Sequence, residues 1–150
     1  MKLTGREARE SVFKKNAAGH AVLHLATHGF FLEGPCGPLQ LSGLALAGAN
    51  HRRDADAVGD EGEDGILTAE AIASLDLRGV EWAVLSACET GLGPVQTGEG
   101  MLGLRRAFEV AGAGTLILSL WSVSDHDARD WIRELYTGRL QGMSSIDAGG

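Results

Sequence analysis

The chain has 150 residues, enough for one domain around one hydrophobic core. Its apolar content of 44% is that of an ordinary globular protein, which argues against disorder throughout. The net charge of −7, with no basic stripe to offset it, disfavours nucleic-acid binding.

The first predicted element is a helix over residues 6–17, where Ala8, Val12, Phe13 and Ala17 share a stripe. The basic residues around it (Lys2, Arg6, Arg9, Lys14 and Lys15) read as a solvated face. Residues 21–27 are a short apolar run bounded by glycines, hence a buried strand. A loop rich in Gly and Pro follows, and Leu44-Ala45-Leu46-Ala47 is a weak short strand. The composition then shifts from His51 to Asp64, a stretch with six acids and two arginines that reads as a solvated, flexible insertion. Thr68 is placed to cap a short helix with Glu70 in its first turn. Residues 80–87 form a second buried strand.

Beyond a loop over 88–99, Met101, Leu104, Phe108 and Ala111 mark a helix over roughly 100–111, ended by Gly112 and Gly114. Residues 115–120 give a third buried strand. Ser124 then offers an N-cap to a last helix, with Asp125 and Asp127 in its first turn and Ala128, Trp131, Ile132, Leu135 and Tyr136 at apolar spacings. Strands that are apolar on both faces and alternate with helices predict an α/β fold with a mostly parallel sheet covered by helices.

Two strands end in reactive residues. The run Ala83-Val84-Leu85-Ser86-Ala87 stops at Cys88 and passes into Glu89-Thr90-Gly91-Leu92-Gly93, and the run over 21–27 stops at His28-Gly29. In open parallel sheets ligands bind beyond the carboxyl ends of the strands, so neighbouring strands would bring the imidazole and the thiol to one site. A free thiol has a pKa near 8.5 and needs a base beside it, a task that imidazole suits at neutral pH. The expectation is a nucleophile, Cys88, and a general base, His28, with the amides of Gly29 and Cys88 as oxyanion donors. No helix starts directly after Cys88, so no helix dipole is invoked for its activation. No cofactor is expected.

Other residues have plainer readings. His24 and His28 are four apart, which on a strand spans roughly 13 Å, too far to grip one metal, so no metal site is expected. His24 is expected to be a packed or hydrogen-bonded histidine. Cys36, in Gly-Pro-Cys-Gly-Pro, reads as an ordinary loop thiol, and His126 as an exposed side chain. The unlike settings of Cys36 and Cys88 predict no disulfide and a reducing compartment. No apolar stretch approaches the roughly 20 residues of a membrane helix, and no secretory segment follows Met1, so a cytoplasmic protein is expected. The glycine loops carry neither phosphate-binding fingerprint, which weakens a nucleotide-binding reading.

The sequence resembles CHAT domains, relatives of caspases and separases. The likeness is carried first by His24-Leu25-Ala26-Thr27-His28-Gly29-Phe30-Phe31 and Leu85-Ser86-Ala87-Cys88-Glu89-Thr90-Gly91. It extends through Leu41–Asn50, Asp64–Glu70, Gly98-Glu99-Gly100, Gly103–Phe108 and Ser119–Asp125, and covers about residues 3–143. The resemblance implies a caspase-like three-layer α/β fold and a His/Cys dyad cutting peptide bonds, which falls on His28 and Cys88. Separases have a similar Leu-Trp-x-Val-x-Asp stretch whose acid receives an arginine. The resemblance therefore implies a substrate pocket at Asp125, with Asp127 as second choice, and cleavage after basic residues. Glu99 could border the same groove or simply favour a helix start. The implied partners are a protein or peptide substrate and a helical-repeat, TPR-type regulatory domain. Strand and helix material that the family has before Leu3 is absent, as is an Ala-Leu-rich last helix after Ser144, so residues 1–150 are expected to be a single but incomplete CHAT-like domain. A catalytically inactive interaction or signalling module on the same fold is the alternative to a cysteine endopeptidase.

Overall fold

The structure is a computed structural model that describes residues 1–31, 38–51, 64–86, 88–89, 97–118 and 125–143. The acidic stretch 52–63, the loop around Cys36, residues 90–96 and the proposed cap Ser124 lie outside these residues.

A parallel three-stranded sheet forms the centre, with β1 (Val22–Leu25), β5 (Trp82–Leu85) and β7 (Thr115–Leu118) in the order β1-β5-β7. Alternate residues of a strand face opposite ways, and here the two faces are covered differently. Leu23, Leu25, Ala83 and Leu85 join the main core with Leu104, Ala107, Phe108 and Ala111 of α4 (Thr97–Ala111) and Ile72 of α3 (Ala69–Ala73). Ala17 and the partly buried Phe13 of the first helical segment pack on the same side. Trp82 and Val84 face the other way, onto Leu135 and Tyr136 of α5 (Asp125–Leu140). The Arg139 guanidinium lies 4.4 Å above the Trp82 ring and binds Glu81 at 2.6 Å, which fastens α5 to β5. Helices on both faces of a parallel sheet make the expected three-layer α/β arrangement.

A second sheet continues from the first. It comprises β2 (His28–Phe31), β3 (Ser42–Ala45), β4 (Ile66–Thr68) and β6 (Cys88–Glu89), in the order β4-β3-β2-β6. β2 pairs in parallel with β6, whereas β3 is antiparallel to both β2 and β4. Leu44 and Leu67 are completely buried in the main core. This antiparallel portion was not expected. Gly29 and Gly43 interrupt the apolar pattern of β2 and β3, so neither reads as a regular strand.

Several boundaries also differ. The first helix is split into a 3₁₀ turn over Gly5–Glu7 and α1 (Glu10–Asn16), because Arg9 is extended, with ψ 159°. The strand expected over 21–27 stops at Leu25, so His28 opens β2 instead of ending β1. The weak strand at Leu44–Ala47 lies two residues earlier, and α4 starts three residues before its expected position. The four-residue helix α2 (Pro38–Leu41) had no sequence signal. Thr68 caps α3 as expected, accepting a hydrogen bond from the Ala71 amide at 3.1 Å. Gly112, at φ +96°, closes α4 in a conformation that favours glycine. On α5, Leu135 is buried while Trp131 remains exposed.

Candidate active site

β1 and β5 end together at the pair Leu25–Leu85. Three positions further along each chain, β2 and β6 pair in turn, with His28 the Cα partner of Cys88 and Gly29 that of Glu89. The two pairings keep the same offset along the chain. The two predicted reactive residues thus occupy adjacent register positions in a parallel ladder, where neighbouring strands are about 4.8 Å apart. Of Cys88 the backbone alone is described.

His28 is exposed and shares a sheet face with Phe30. Gly29 is buried between Leu44 on β3 and Glu89 on β6. Just before His28, the Thr27 hydroxyl donates to the Ala45 carbonyl and ties this segment to β3. His24 behaves as expected of a hydrogen-bonded histidine: its Nε2 lies 2.8 Å from Ser86 Oγ, and its ring centroid lies 5.7 Å from that of Tyr136. Lost hydration holds the His24 imidazole below its ordinary pKa of 6.5 and favours the neutral ring. The same cause raises the Tyr136 phenol.

The acids implied as substrate contacts stand at helix starts. Glu99 is the third residue of α4 and Asp125 the first of α5, each described by backbone alone. Asp127 is 74% exposed, with His126 Nδ1 3.8 Å from its carboxylate. Leu118 of β7 is level with the ends of β1 and β5 through the pairs Leu25–Leu85 and Leu85–Leu118. Among the described site residues, strand pairing joins His28 to Cys88 and Gly29 to Glu89. Among the described residues no three His, Cys, Asp or Glu side chains converge as a metal site.

The pairing of Ser86 with His24 went unread in the sequence. A histidine at an alternate position of an apolar strand signals a polar neighbour, but nothing in the sequence identifies it.

A parallel sheet between helical layers, carrying a histidine and a cysteine in register beyond its carboxyl edge, defines a layered α/β protein of the caspase-like type. The chain belongs to the CHAT domain family, whose pattern it matches over residues 2–148. This family is related to the caspase-like cysteine peptidases. Comparison with curated proteins gave no match. Among the described residues no helix is long and apolar enough to cross a membrane.

Proposed function

We propose that the chain is a cysteine endopeptidase of the caspase/separase-like group, with Cys88 as nucleophile and His28 as general base and then general acid. The observation that carries this reading is the register pairing of His28 with Cys88 in a chain of a peptidase-related family. Residues in register on neighbouring strands share a face of the sheet, which suits a proton transfer between them.

In the proposed reaction, His28 accepts the Cys88 thiol proton as the sulfur attacks the scissile carbonyl carbon. The amides of Gly29 and Cys88 stabilise the resulting oxyanion. The intermediate collapses when the C–N bond breaks and His28 gives its proton to the leaving amine. The remaining thioester is hydrolysed by a water that His28 deprotonates, and the proton returns to the sulfur as the acid product leaves. Asp125, with Asp127 and Glu99 around it, would favour a basic residue before the scissile bond. The substrate is a protein or peptide and the setting cytoplasmic, with a helical-repeat domain as the regulatory partner.

The test is an unbiased peptide-library cleavage assay. Cleavage after lysine or arginine, lost in both Cys88→Ala and His28→Ala with the fold retained, is the expected result. Full activity of Cys88→Ala overturns the assignment. Cleavage that ignores basic residues removes the acidic pocket alone.

A further inference from the structure

The parallel pairing of β1 with β5 ends at Leu25–Leu85, and that of β2 with β6 begins at His28–Cys88, three positions further along each chain. Hydrogen bonds hold the chain near these positions. Thr27 binds the Ala45 carbonyl. Ser86 Oγ and His24 Nε2 are 2.8 Å apart, and the Ser86 amide donates to the Leu25 carbonyl at 3.0 Å.

The offset that both pairings share makes Ala26 the level counterpart of Ser86, so the His24 bond runs diagonally back along β1. A diagonal bond opposes sliding of one strand along the other, whereas a level contact opposes only their separation. Tyr136 stacks at a tilt against the imidazole from α5, which restricts the ring that accepts or donates this bond.

We infer that His24 and Ser86 are positioning residues, whose hydrogen bond keeps the β5–β6 chain in step with β1–β2 and so sets the approach of Cys88 to His28. The inference rests on the dyad reading above. Neither residue touches the reacting atoms in this scheme. Ser86 lies two residues before the nucleophile and His24 four before the base, so a shift at either is passed on through a very short length of chain.

The test is alkylation of the intact chain by iodoacetamide, resolved by residue with mass spectrometry, from about pH 5 to about pH 9 around the ordinary thiol value of about 8.5. Cys36 is the internal reference. Cys88 is expected to react faster than Cys36 at neutral pH in the wild type. Ser86→Ala and His24→Phe are expected to slow Cys88 roughly two- to tenfold, the effect of one lost hydrogen bond, and to move its pH midpoint towards that of Cys36. Ser86→Thr keeps the hydroxyl and is expected to stay within about twofold of wild type on the same scale. If Ser86→Ala fails to fold, His24→Gln compared with His24→Phe makes the same test from the other end of the bond.

Unchanged rate and midpoint in these variants, with His28→Ala slowing Cys88, overturn the positioning role and leave the dyad standing. A Cys88 rate that His28→Ala does not alter overturns the dyad, and the positioning role with it.

Discussion

Phe30 lies against Gly43 across the antiparallel β2–β3 ladder so closely that a β-carbon on Gly43 would stand 2.7 Å from the ring. The same β-carbon would stand 2.7 Å from the Leu67 carbonyl oxygen. Glycine is required there for space, and the aromatic ring two residues beyond His28 depends on it. Gly43→Ala is expected to destabilise the protein by about 1–3 kcal/mol, the usual effect of forcing extra volume into a packed site. Phe30→Leu in the same chain should restore only part of the loss, because the Leu67 carbonyl belongs to the backbone and cannot turn away. Urea unfolding of the single and double variants measures both effects.

Phe108 of α4 is fully buried in the main core. Phe108→Ala should cost about 3–5 kcal/mol, the usual range for truncating a buried aromatic side chain. Val110 on the same helix is 61% exposed, and Val110→Ala should stay within about 0.5 kcal/mol of wild type. Denaturation midpoints of the two variants check the contrast.

Thr68 ends β4 and caps α3 with one side-chain oxygen. Thr68→Ala should cost about 1 kcal/mol, while Thr68→Ser keeps the acceptor and should lose less. The comparison separates the cap from the rest of the side chain.

The depressed pKa of His24 carries a pH dependence. Unfolded chain binds the proton at the ordinary value of 6.5, above the folded value, so protons favour unfolding between the two. The stability held above about pH 6.5 is therefore lost progressively as the pH falls towards the folded pKa. Between neutral pH and about pH 5.5, wild type should lose more stability than His24→Gln, whose side chain takes up no proton. Urea midpoints at both pH values give the result, and equal losses would refute it.

The parallel centre of the fold was legible because its strands are apolar on both faces and alternate with striped helices. Ala83-Val84-Leu85 and Leu116-Ile117-Leu118 read as strands without context, and Leu104, Phe108 and Ala111 marked the buried face of α4. The second sheet was not legible. Its strands are two to four residues long, contain Gly29 and Gly43, and gain their shape from neighbours distant in sequence. His28 and Cys88 stood out as residue types at the ends of apolar runs. Their alignment depends on two connections of equal length, which no local pattern in either segment reveals.

Those matched connections impose a parity rule on the sequence. Side chains of a strand alternate from face to face, so one residue added between Leu25 and His28 turns the imidazole to the far side of the sheet. Lengthening the Leu85–Cys88 connection by the same single residue would bring both chains back into phase. Compensated changes at these two places are therefore tolerable where an uncompensated one is not.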